Sequence, residues 1–175
     1  MRGAGMTTFT KIYNNTVLED LEVIINEEFN IPIRYDNTYR GNAFFHIMPQ
    51  GEELIEIRTD GALREYSLQI TYFEKNYGTY NQRSGLDNRA RVVERLKKLI
   101  RNNIAGVDDV VFFLTSNGKN FLTSNSLALV PAGDTELDWH HARIESIEYD
   151  EDVENNRYLT GTVDFRCVVE EIYTT

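Results

Sequence analysis

The sequence predicts an α+β fold: a mainly antiparallel β-sheet with two α-helices packed on one face, plus a long loop or arm. Three stretches lead there. In residues 65–73, Tyr66, Leu68, Ile70 and Tyr72 alternate with Glu65, Ser67, Gln69 and Thr71, a period of two that makes a strand with one buried and one polar face. Residues 162–172 repeat the pattern, with Val163, Phe165, Cys167 and Val169 on one side and Asp164, Arg166 and Glu170 on the other. Between them, Leu86, Val92, Val93, Leu96, Leu99 and Ile100 fall within a sector of about 140° on a helical wheel, so a helix there can cover one sheet face. Its other side carries Arg91, Arg95, Lys98 and Arg101; Ser84 or Asp87 is expected to cap its start, and the cations of its last turn suit the negative end of the helix dipole.

The remaining elements follow in chain order. Residues 1–12 read as a flexible N-terminus within a single domain spanning 1–175. Thr16 to Glu19 has the form of a capping box, and Leu18, Leu21, Ile25 and Phe29 recur at helical spacing, so a first helix is expected from about Asn15 to Phe29, limited by Pro32. Ile31, Ile33 and Tyr35 begin a strand that ends at Asp36-Asn37. Phe44 to Met48 forms another, stopped by Pro49-Gln50-Gly51, and Leu54 to Arg58 a third, which turns back at Thr59-Asp60-Gly61 as an antiparallel neighbour. Tyr72, Phe73, Tyr77 and Tyr80 then fall in a loop around Gly78; there Tyr77 and Tyr80 are candidates for contact with another subunit, though packing onto their own sheet is at least as good a reading. Val107 to Leu114 reads as one short strand. Residues 115–138 are rich in Ser, Asn and Gly, a long connection best read as an arm, with Asn120, Phe121, Leu122, Leu127 and Leu129 as its contact candidates. In the closing hairpin, Ala142, Ile144, Ile147 and Tyr149 keep an apolar side only if a bulge falls between Ile144 and Ile147, and Asp150 to Asn156 forms a polar tip.

Composition narrows the class. A chain of 175 residues, 41% hydrophobic and 26% charged, suffices for a core of its own. Its longest apolar run is Val110 to Leu114, far short of the roughly 20 residues that span a bilayer, so a soluble protein made inside the cell, with no membrane partner, is expected. The net charge of −10 speaks against gripping nucleic acid. Its distribution is uneven. Residues 83–101 hold seven basic and two acidic side chains (+5), whereas residues 134–154 hold nine acidic and one basic (−8). Each is first of all a solvated face; together they suit head-to-tail contact between copies. Subunit-interface candidates are therefore Arg91, Arg95, Lys98 and Arg101.

Catalytic constellations are scarce. The chain has no phosphate-cradling glycine loop and no nucleophile elbow, and Cys167, at an apolar strand position, reads as a buried structural thiol. His140 and His141 adjoin, and neighbours on a strand point to opposite faces, so the pair is poorly placed to chelate one ion. Glu148, Asp150 and Asp152 form a weak acidic signature that a metal-dependent hydrolase would use; with Glu151 and Glu154 they lie at a hairpin tip, where a solvated charge cluster is the ordinary reading. No catalytic residue, metal or cofactor is expected, and the protein is read as not an enzyme.

One resemblance bears on function. Ile31-Pro-Ile-Arg-Tyr-Asp36 after the first helix, Tyr66 to Tyr72 before the basic segment Arg91 to Leu96, and Trp139 leading into Ala142 to Asp150 and Gly161 to Phe165 resemble the tail terminator or neck (head-tail joining) proteins of tailed bacteriophages. That resemblance implies a structural virion protein: a homo-oligomeric, hexameric ring that caps the tail tube and meets the tail tube protein and the head-side connector or stopper protein. DNA would pass through its lumen without sequence-specific binding, and Glu148, Asp150, Glu151, Asp152 and Glu154 would line that lumen or its rim. It also implies assembly in the host cytoplasm and residence in the tail-neck region of the virion. A head-completion or baseplate subunit of the same small fold is the alternative, ahead of the hydrolase.

Overall fold

The computed structural model describes residues 17–35, 41–59, 61–75, 82–102, 104–107, 110–113, 139–152 and 158–172. The fold is α+β, with one mainly antiparallel sheet and two helices. The elements are α1 (Glu19–Glu28), β1 (Ile33–Arg34), β2 (Ala43–Ile57), β3 (Gly61–Lys75), α2 (Gln82–Asn102), β4 (Ile104–Val107), β5 (Val110–Phe113), β6 (Trp139–Asp152) and β7 (Tyr158–Ile172). The seven strands run in the order β1-β2-β3-β7-β6-β5-β4.

The period-two pattern of β3 and β7 sets the two faces. Tyr66, Leu68 and Ile70 stand opposite Cys167, Phe165 and Val163, and β2 adds Phe45 and Ile47 opposite Tyr72 and Ile70. Ile144 pairs with Phe165 and Ile147 with Val163 across a register shift between Ile144 and Ser146, the expected bulge, which returns both isoleucines to one face. Leu21, Ile24, Ile25 and Phe29 of the α1 segment and Val93, Leu96, Leu99 and Ile100 of α2 join these strand residues in a single buried cluster, so both helices lie on the same face. The closest approach is at Gly161, where a Cβ would stand 2.5 Å from Val93 Cγ2. Only glycine leaves α2 that close to β7.

The opposite face is polar and knitted across strands. Thr71 and Thr162 hydroxyls lie 3.1 Å apart, Gln69 donates to Asp164 at 3.2 Å, and Ser146 donates to the same carboxylate. Glu65 accepts from Arg143 at 2.9 Å and from Arg166 at 3.1 Å. At one end of that face Phe44 stacks on Phe73 with centroids 4.7 Å apart, and Tyr158 packs edge-on against both.

Several expectations need correction. Pro49 does not end a strand: β2 continues to Ile57, with a register shift between Pro49 and Gly51 and another between Leu54 and Glu56. Beyond the Arg34–His46 pair β2 lies at the sheet edge, where a residue without an N–H breaks no ladder. β1 pairs with β2 in parallel, which makes the sheet mixed. Tyr72 and Phe73 belong to β3, as the alternation of residues 65–73 requires, so the loop reading of these two is withdrawn, and Tyr72 is buried beneath the helices. Helix α2 begins at Gln82, so Ser84 and Asp87 lie within it and not at its start, and Leu86 is exposed instead of buried. The single strand expected at 107–114 is a hairpin, β4 with β5. Helix α1 starts at Glu19, later than expected; Thr16 lies outside the described residues. The acidic run enters the last turn late, because β6 stays paired as far as Asp152 with Tyr158. Cys167 is fully buried and unbonded to another cysteine.

Candidate functional site

The amphipathic pattern of α2 turns its cations away from the sheet. Arg91, Lys98 and Arg101 are exposed, and among the described residues they form no ion pair; Lys97 pairs with Glu94 at 3.5 Å. Arg91 to Arg101 spans about 15 Å of helix at about 1.5 Å per residue. The ridge is mainly cationic, with Glu94 in the same helical sector between Arg91 and Lys98.

Arg95, a fourth interface candidate, is engaged inside the subunit. Its Nε lies 2.5 Å from Glu28 Oε1, its Nη2 donates to the Glu28 carbonyl at 2.7 Å, and its guanidinium sits 4.8 Å from the Phe29 ring centroid. Glu28 needs that cation, since its side chain is only 2% exposed. Arg95 thus joins the end of α1 to α2, and its charge is withdrawn from the ridge. Arg89 is drawn in as well: its Nη1 donates to the carbonyls of Asp150 at 2.8 Å and Thr160 at 3.1 Å, with the guanidinium 4.9 Å from the Tyr149 centroid. Sequence reasoning missed Arg89, which sits on the sheet-facing side of the helix and extends to the strand carbonyls.

The carboxylates of β6 are placed by strand pairing. Glu148 stands opposite Thr162, Asp150 opposite Thr160 and Glu151 opposite Leu159; all three acidic residues are exposed. Asp152 pairs with Tyr158 through the backbone. Glu154, Tyr77, Tyr80 and the arm candidates Asn120, Phe121, Leu122, Leu127 and Leu129 lie outside the described residues. No group of three or more His, Cys, Asp or Glu side chains is arranged to hold a metal among the described residues. No described helix is long and apolar enough to cross a membrane.

One open hollow of about 310 Å³ is lined by Leu18, Glu19, Glu22 and Tyr35. Tyr35 donates its hydroxyl proton to Glu22, and burial together with that carboxylate raises its pKa well above the usual phenol value. Such a phenol holds its proton. Tyr72 shows the same direction, from burial first and then the charge of Glu74.

A further surface was not foreseen. On β2, Met48, Leu54, Ile55 and Ile57 are all exposed large apolar side chains. The signal was present in Glu52-Glu-Leu-Ile-Glu-Ile57, whose apolar residues fall on both strand parities, a pattern that no half-buried strand requires. The chain matches no protein-family model, and no curated protein is similar to it.

Proposed function

We propose that the protein is a structural subunit that assembles head to tail into a ring, in the role that its likeness to tail terminator and neck proteins of tailed bacteriophages implies. In that role a hexameric ring caps the tail tube, meets the head-side connector or stopper protein, and lets DNA pass through its lumen. The observation that supports this reading is the separation of unlike surfaces on one subunit: the cationic ridge of Arg91, Lys98 and Arg101 on α2, and the exposed carboxylates Glu148, Asp150 and Glu151 on β6. Surfaces of opposite sign at different places attract a second copy in a rotated, unlike contact, and such contacts close into rings. A lumen lined by carboxylates would let a polyanion slide without sticking.

Sedimentation velocity and native mass spectrometry of the purified protein, from about 50 mM to about 500 mM salt, test it, because contacts between exposed charges weaken as the Debye length shrinks. Closed oligomers of one size, with rings in electron micrographs, are expected. A strictly monomeric protein at high concentration and low salt would overturn the reading.

A further inference from the structure

The distal half of β2 stands apart from the rest of the sheet. From Met48 to Thr59 every residue is exposed, while β3, its partner, is buried or half-buried along the facing stretch. Ile57 is 72% exposed, Ile55 53% and Leu54 42%. Leu54 pairs with Arg64 and Ile57 with Ala62, which puts both on the helix side of the sheet, and Ile55 occupies the bulge between Leu54 and Glu56. A long apolar edge of this kind is a surface that proteins ordinarily cover or blunt.

We propose that this distal edge of β2 docks along the outer surface of α2 in a second copy of the chain, so that the hairpin of one subunit and the helix of the next form the unlike contact. The inference rests on the head-to-tail reading above; it keeps the cationic surface of α2 and sets the β2 edge, in place of the β6 carboxylates, against it. Three considerations select this occupant. Pairing of two β2 edges about a two-fold axis would crowd the glutamates of Glu52-Glu53-Leu54-Ile55-Glu56 against those of the partner copy, and like charges in facing positions destabilise a strand pair. The outer surface of α2 is complementary in sign: residues 48–58 carry three glutamates and one arginine, Glu56 pairing with Arg58 at 3.2 Å and Glu52 with Arg64 at 3.7 Å, against Arg91, Lys98 and Arg101, which form no ion pair among the described residues. Lengths agree too, since Glu52 to Glu56 covers about 14 Å of strand and Arg91 to Arg101 about 15 Å of helix.

The apolar part of the edge also has a counterpart. Leu86 on α2 is 43% exposed and Tyr149 on β6 is 45% exposed. Arg89, one helical turn from Leu86, lies over the Tyr149 ring. The area suffices as well: residues 48–58 give about 37 Å of edge, and a strip of that length about 20 Å wide approaches the roughly 800 Å² per partner of a specific contact.

The test uses the full chain carrying Leu54→Asp with Ile57→Asp, and separately Leu86→Asp with Tyr149→Asp. All four positions are exposed, so circular dichroism should show the unmodified fold in both, with a lower Tm only in the variant that removes the Tyr149 ring from beneath Arg89. Each variant alone should self-associate more weakly, on the order of thirtyfold or more, as expected when central apolar residues are lost. Mixed in equal amounts, they should form a dimer that goes no further, because each retains the surface its partner lacks. Assembly of the unmodified protein with no loss in either variant would overturn this inference and leave the ring reading standing. So would a hairpin variant that is monomeric beside a helix variant that still dimerises, the signature of a two-fold contact. A monomeric unmodified protein would overturn both.

Discussion

Replacing Gly161 with alanine puts one methyl group where α2 crosses β7. The new Cβ would lie 2.5 Å from Val93 Cγ2, inside any van der Waals contact. Val93 has no easy escape: it is fully buried, and a β-branched side chain in a helix has one strongly preferred rotamer. Helix and strand must therefore separate, at an overpacking cost of about 1–3 kcal/mol. For a domain of this size about 2 kcal/mol lowers Tm by about 4–8 °C. Val93→Ala alone should cost about 2 kcal/mol through lost burial and a small void. Combined, the two changes should be less than additive, by about 1 kcal/mol or more, because the alanine methyl at 161 occupies the space that the valine methyls vacate. Urea denaturation of the four proteins of this cycle gives each value. Additivity within about 0.5 kcal/mol, or a neutral Gly161→Ala, would refute the idea that this contact fixes the height of α2 above the sheet.

Arg95→Ala should destabilise the fold by about 1–3 kcal/mol in urea, because it takes the guanidinium away from the buried Glu28 carboxylate, while Arg91→Ala and Lys98→Ala stay within about 0.5 kcal/mol. Adding Glu28→Gln to Arg95→Ala should recover part of the loss; no recovery would mean that contact with Phe29 matters more than charge. Tyr72 and Tyr35 have pKa values raised on folding, so each contributes stability that is fully present below the unfolded phenol value near pH 10 and is lost as pH climbs above it. Thermal melting across pH 8–12 should show a fall beginning near pH 10, made shallower by Tyr72→Phe. Reversing Arg91, Lys98 and Arg101 to glutamate should abolish salt-sensitive association with no change in Tm, as read by sedimentation beside calorimetry.

Much of the fold was legible because its signals are local. The alternation of residues 65–73 and 162–172 specified the faces of β3 and β7, and the spacing of Ile144 and Ile147 disclosed a bulge before any partner strand was known. The misreadings have a common cause, since each depended on a neighbour that sequence does not reveal. Pro49 reads as a terminator unless β2 is known to lie at an edge, where the missing N–H is harmless. Leu86 fits the apolar sector of α2, yet helical phase says nothing about where along its length the helix stops covering the sheet. Arg95 falls on the polar side of the wheel, and only the approach of α1 turns it from a surface charge into the counter-ion of Glu28. In the candidate surface, Arg91, Lys98 and Arg101 were recoverable from phase alone, whereas the exposure of Leu54, Ile55 and Ile57 required knowing that β2 outruns the helices.

Those internal engagements change the electrostatics of assembly. The segment 83–101 carries +5 in sequence, but Arg95 is spent on Glu28 and Arg89 on the Asp150 and Thr160 carbonyls, and Lys97 is paired with Glu94. Of the cations whose side chains are described, Arg91, Lys98 and Arg101 remain on the outer ridge, and their worth is set by what a partner excludes from them. Left in water, each contributes little, as exposed ion pairs generally do. Pressed beneath a hairpin whose Leu54 and Ile57 remove solvent, the same three would act in a medium of lower dielectric and decide orientation and register more than affinity. Apolar area then supplies most of the contact energy and charge selects which surfaces meet, so the Leu54→Asp, Ile57→Asp variant should fail at every ionic strength, whereas the charge reversal should fail most at low salt.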